Sequence, residues 1–198
     1  MTIANYITLS RILGVFLILA FVPFHDYMSQ LVVVALFMVI CFTDFLDGWV
    51  ARRFDMVTDL GKVLDPLADK ILILVFLPLI DMQVINSWPV FVILCREFAI
   101  MGLRVYAAKM GWIISASLSG KLKTSFTLLT CGILLCRVPI ALLPDATYSF
   151  LTPLAVLQQW VLGWPLWVVD GFIWGMVILT LVSFLDYLGK LFRLMKTS

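Results

Sequence analysis

The sequence predicts an all-α integral membrane protein that crosses the bilayer with six transmembrane helices. Three observations carry this. Of 198 residues, 63% are hydrophobic and only 13% are charged. The mean hydropathy is +1.10, whereas soluble domains are about half apolar and about one quarter charged. The apolar residues, about 125 of them, suffice for six spans of about 20 residues each. A water-soluble domain, a disordered chain and a disulfide scaffold are all excluded. Residues 1–198 read as a single membrane domain.

The spans follow in order. Residues 1–10 carry no basic leader, and the apolar run 11–24 does not end in small residues, so it reads as a retained first span. His25, Asp26, Ser29 and Gln30 form a loop. Span two covers roughly 31–50 and ends in Ala51-Arg52-Arg53. A polar connector from Phe54 to Gly61 leads to span three, about 62–80. Asn86-Ser87-Trp88-Pro89 opens span four, about 88–108. A small-residue, basic connector, Lys109 to Lys123, precedes span five, about 124–142. Leu143 to Pro165 is a long aromatic connector that lies partly in the interface. Span six covers about 166–188.

The basic residues orient these spans. All but Arg137 of the 14 Lys and Arg fall on one side: the N-terminal segment, the second and fourth gaps with their flanks, and the tail. The positive-inside rule places that side, and both termini, in the cytoplasm. The tryptophans of residues 160–174 suit an aromatic belt at the outer interface. Cys41, Cys95, Cys131 and Cys136 lie in apolar runs with no CxxC pair and read as small buried residues. His25 is the sole histidine, which excludes a His-based metal site and a Ser-His-Asp triad.

Carboxylates inside a bilayer are costly and point to function. Asp44 and Asp47 lie near the cytoplasmic end of span two, and Asp65 and Asp69 near the cytoplasmic start of span three. At 3.6 residues per turn, Asp44, Asp47, Gly48, Ala51 and Arg52 share one helix face, and Gly61, Asp65 and Asp69 share another. Four carboxylates gathered at one depth cannot all stay ionised unpaired. Two divalent cations would balance them. An all-oxygen ligand set favours Mg2+ or Mn2+, with calcium as a further option. Magnesium commonly shares substrate phosphates, which points to a phosphate-bearing substrate. Two other readings stay open: acids paired with nearby bases, and a proton or cation relay in a transporter.

The spacing Asp44-x2-Asp47-Gly48-x2-Ala51-Arg52-x8-Gly61-x3-Asp65-x3-Asp69 resembles the signature of the CDP-alcohol phosphotransferase family. Asn5-Tyr6-Ile7-Thr8-Leu9-Ser10-Arg11-Ile12, Arg96-Glu97-Phe98, Arg104, Gly120-Lys121-Leu122-Lys123-Thr124 and Asp186-Tyr187 are similar to the bacterial branch that forms phosphatidylglycerophosphate. The resemblance implies a bacterial inner-membrane enzyme with six helices, a cytoplasm-facing polar cavity, two bound divalent metals and a homodimer. It implies transfer of a phosphatidyl group from CDP-diacylglycerol to an alcohol, with release of CMP. Carried onto this sequence, Asp44, Asp47, Asp65 and Asp69 would be the metal ligands, with Asp69 also the general base. Asn5, Thr8, Gly48, Ala51, Arg52 and Thr58 would hold the cytidine diphosphate part.

The acceptor is read from charge. Arg96 and Arg104 stand about two turns apart on span four, and Lys121 and Lys123 open span five on the same side. Four cations beside an anionic site call for an anionic ligand, and the expectation is the phosphate of glycerol 3-phosphate. An ordinary basic flank is the competing reading for Lys121 and Lys123. Phosphatidylglycerol, inositol phosphate or serine are the acceptors of the family's other branches. Glu97 is set aside as a direct partner of Arg96, because adjacent helical residues do not face each other.

Overall fold

The computed structural model describes residues 3–24, 26–54, 67–68, 70–112, 118–138 and 152–197. The described chain is all-α, with α1 (Ile3–Phe21), α2 (Tyr27–Phe54), α3 (Phe76–Asp81), α4 (Ser87–Lys109), α5 (Leu118–Cys136), α6 (Thr152–Leu162) and α7 (Leu166–Thr197). It divides into two compact units: residues 1–85 with 131–164, and residues 86–130 with 165–198.

In the first unit α1 packs along α2. Thr8, Arg11, Val15 and Ile18 are buried along α1 and Val22 just past its end; they recur at steps of three and four and so form one seam. Leu31, Val34, Phe37 and Ile40 supply the matching seam of α2. The opposite face of α1 is exposed and still apolar, with Leu13 61% and Phe16 56% accessible. A helix on a soluble domain turns polar residues outward there; acyl chains accept leucine and phenylalanine.

The α1–α2 connection is built by side chains. Asp26 stands at the N-cap of α2. Its Oδ2 accepts the Ser29 backbone N–H at 2.9 Å, and its Oδ1 accepts the Ser29 hydroxyl at 2.7 Å. These bonds satisfy a helix-start donor and hold the Asp26 carboxyl below its ordinary range, the Ser29 hydroxyl contributing most. Gln30 reaches back from α2 and donates through Nε2 to the carbonyls of Val22 and Phe24, at 3.0 and 2.9 Å. Those carbonyls, at and beyond the end of α1, have no helical continuation to bond to.

Two expected elements differ. The run 62–80 is not one uninterrupted helix where it is described. Residues 70–73 are helical, Leu74 and Val75 form a turn, and α3 starts at Phe76. Pro78 explains the break: it has no N–H for the Leu74 carbonyl, and its ring collides with that carbonyl in a straight helix. The Leu77 N–H bonds Leu74 O instead, at 2.9 Å. The connector 143–165, in turn, contains a helix of its own, α6. Cys131 and Cys136 are buried as expected, Cys41 is half-buried and Cys95 is exposed.

In the second unit α4 packs on α7. Val90, Ile93, Glu97, Ile100 and Ala107 are buried along α4. Val169, Ile173, Met176, Thr180, Ser183, Tyr187 and Leu191 are buried along α7. Gly175 admits the Phe126 ring of α5, since a Cβ there would stand 3.0 Å from Phe126 Cε1. Phe126 also stacks on Phe172, with ring centroids 5.7 Å apart. The stretch Leu166–Lys196 of α7 has 31 residues and contains an 18-residue window of mean hydropathy 2.1. It is long and apolar enough to cross a bilayer core of about 30 Å. Shorter apolar helices cover Thr8–Phe21 and Met28–Thr43. The protein is therefore membrane-associated.

Candidate active site

The sequence-predicted site residues fall in different places. Asp44, Asp47, Gly48, Ala51 and Arg52 lie on α2, which stays helical to Phe54, four residues past the expected end of span two. Their side chains, and that of Asn5 on α1, lie outside the described set, as do Thr58, Gly61, Asp65 and Asp69 altogether. Thr8 is on α1 and is 1% exposed. Arg96 and Arg104 are on α4, and Lys121 and Lys123 on α5.

The second unit brings two of the four cations together and leaves two apart. Arg96 donates through Nη1 to Glu97 Oε1 at 2.7 Å and through Nη2 to Ser183 Oγ at 2.6 Å. The Lys123 ammonium donates to the same Glu97 Oε1. Two helices thus meet at one carboxylate oxygen, α4 with Arg96 and Glu97 and α5 with Lys123, and α7 joins them through Ser183 on the Arg96 guanidinium. The side chains are nearly dry, at 11% accessible for Arg96, 9% for Glu97 and 5% for Lys123. Charge-assisted bonds of this kind are strong where water is excluded. Arg104 and Lys121 are exposed.

The expectation for Glu97 is corrected here. Adjacent side chains leave a helix in different directions, but the long guanidinium arm folds back to its neighbour. Glu97 lies in the buried seam between Ile93 and Ile100, so its carboxylate needs partners. The missed signal was that placement: a single acid at a seam position of an apolar helix. Nearby, Ser119 donates to Asp186 Oδ2 at 2.9 Å, and Lys190 stands 3.4 Å from the same oxygen. Tyr187, one turn beyond Ser183 on α7, buries a hydroxyl that has no hydrogen-bond partner among the described residues.

The cofactor expectation is also corrected. Among the described residues, no group of three or more His, Cys, Asp or Glu could hold a metal ion. This overturns the expected pair of divalent cations, Mg2+ or Mn2+. The physical reason is that the described side-chain carboxylates are dispersed, and three of them are engaged: Asp26 by Ser29, Glu97 by Arg96 and Lys123, Asp186 by Ser119 and Lys190.

Comparison with known proteins decides the family. The sequence model of the CDP-alcohol phosphatidyltransferases matches residues 1–170. The chain belongs to the CDP-alcohol phosphatidyltransferase family. The match contains the whole aspartate spacing and the Arg96, Glu97 and Lys123 cluster. Curated relatives include a CDP-diacylglycerol–glycerol-3-phosphate 3-phosphatidyltransferase of Bacillus subtilis (strain 168), 34% identical over 98% of this chain and 97% of the relative. Proteins of the same name are 31% identical in Wigglesworthia glossinidia brevipalpis, over 83% of this chain and 96% of the relative, and 37% identical in Treponema pallidum (strain Nichols), over 82% and 71%. The buried cation pair of the second unit thus lies within the part of this phosphatidyltransferase that the family model matches.

Proposed function

We propose that this protein transfers the phosphatidyl group of CDP-diacylglycerol to glycerol 3-phosphate in phospholipid biosynthesis. The observation that carries the reading is the match over nearly the full length of a relative bearing that activity in its name. In the reaction, the acceptor hydroxyl oxygen forms a bond to the phosphatidyl phosphorus. The bond from that phosphorus to the bridging oxygen breaks, and CMP leaves with the electron pair. Asp69 takes the hydroxyl proton, a role that needs reach to the acceptor oxygen of about 3 Å. Asp44, Asp47 and Asp65 are its companions in the reaction centre. Asn5, Thr8, Gly48, Ala51, Arg52 and Thr58 hold the cytidine diphosphate part. Arg96, Arg104, Lys121 and Lys123 hold the acceptor phosphate, with the first and last prefixed by Glu97 and the other two free to meet ligand in solvent.

In this proposal residues 1–198 act as one membrane domain with six spans, a cytoplasm-facing polar cavity and both termini in the cytoplasm. The near-complete confinement of Lys and Arg to one side supports that orientation. The setting is the bacterial inner membrane, and the working form is a homodimer.

The test is turnover by purified protein supplied with CDP-diacylglycerol and labelled glycerol 3-phosphate. The expected outcome is stoichiometric CMP and labelled lipid. CMP released only with phosphatidylglycerol, inositol phosphate or serine would keep the family and discard this acceptor.

A further inference from the structure

We propose that Glu97 is a positioning residue for the acceptor, fixing Arg96 and Lys123 in the geometry that receives the acceptor's phosphate. The inference rests on the acceptor reading above and adds a residue to it. Two like charges on separate helices, both nearly dry, repel each other and would splay apart if left alone. Glu97 Oε1 accepts from both and ties α4 to α5 at that point. Ser183 holds the second terminal nitrogen of Arg96 from α7. With Nη1 and Nη2 each committed, the guanidinium plane has one orientation. Its Nε is buried and has no hydrogen-bond partner among the described residues. A cation pair held in place before the ligand arrives loses less freedom on binding, which lowers the concentration of ligand required.

The opposite role is physically reasonable and gives the opposite sign. A carboxylate that merely competes with phosphate for the two cations weakens acceptor binding, and its removal tightens it. Acceptor KM therefore decides between them.

The experiment is steady-state kinetics of the full chain in detergent, with Glu97→Gln, Glu97→Asp, Ser183→Ala and Arg96→Ala. Glu97→Gln is expected to raise the KM for glycerol 3-phosphate about tenfold or more while the KM for CDP-diacylglycerol stays within about twofold. Glu97→Asp keeps the charge, and with it the fold, but shortens the arm by one methylene. It is expected to raise the acceptor KM less, in the same direction, and it carries the test if Glu97→Gln does not fold. Ser183→Ala is expected to raise it by a few fold, since the guanidinium loses one of its two anchors. An acceptor KM that is unchanged or falls in the Glu97 variants, while Arg96→Ala raises it, overturns the positioning role and leaves the acceptor site standing. An equal change in both KM values overturns it as well. No change with Arg96→Ala overturns the acceptor site itself, and the role of Glu97 with it.

Discussion

Arg137 donates from Nη1 to the carbonyl of Trp164 at 2.9 Å and to that of Val161 at 3.3 Å. These carbonyls lie at and just beyond the end of α6, where a helix runs short of backbone donors; the Val161 carbonyl also accepts the Trp164 N–H at 3.1 Å. Arg137 is the one basic residue that the charge pattern places on the outer side. Its position has a structural cause: it caps a helix from 24 and 27 residues away.

Arg137→Ala should therefore lower stability by about 1–3 kcal/mol, the scale for hydrogen bonds from a charged donor. Arg137→Lys should recover part of it, since an ammonium reaches one carbonyl more readily than two. Thermal unfolding in detergent followed by tryptophan fluorescence reads the difference. An Arg137→Ala protein with an unaltered Tm would remove the cap from the stability of the first unit.

Gly14 and Ile40 set the approach of α1 to α2. A Cβ at Gly14 would stand 2.9 Å from Ile40 Cδ1. Alanine needs only the tip of Ile40 to shift, and it gains helix propensity of about 1 kcal/mol, so Gly14→Ala should be close to neutral. Gly14→Leu should cost about 1–3 kcal/mol through overpacking. Ile40→Ala should restore part of the loss in the double variant, giving a non-zero coupling in a double-mutant cycle. Simple additivity would show that the two residues do not meet.

The Asp26 carboxyl is held below its usual value of 3.8 by Ser29. A depressed folded-state value means stabilisation that is present above pH 3.8 and lost as pH falls through the lower folded value. Ser29→Ala removes the largest cause. The Tm difference between the two proteins should be present at neutral pH and shrink below pH 3.8. A gap that stays constant across that window would assign the effect to something other than ionisation.

Asp69→Asn should slow CMP release by about a hundredfold to ten-thousandfold, the usual contribution of a positioned base. Binding of CDP-diacylglycerol should change little, because the proton transfer belongs to the acceptor step. Turnover within about twofold of the parent would mean that another group takes the proton.

Much of this protein is local and therefore legible in the sequence. Hydrophobic runs are long enough to mark helices, and a step of three and four gives each a seam, as in Thr8, Arg11, Val15, Ile18 and Val22. The break at Leu74 was not read, although its local cause, Pro78 without the donor that a straight helix needs, stands in the sequence. The spacing of four aspartates, two glycines, an alanine and an arginine is local as well, and it led to the family. Helix α6 was not read, because an aromatic, Pro-containing stretch of 11 residues carries too few turns for a clear period.

The choice of partner was decided by tertiary structure alone. Glu97 receives Lys123 from 26 residues away, and Arg96 reaches Ser183 across 87. Periodicity states which face of a helix is buried, but not which residue of another helix lies opposite. That depends on how α4, α5 and α7 pack, and burial then leaves a carboxylate in an apolar seam no stable alternative to the cations beside it.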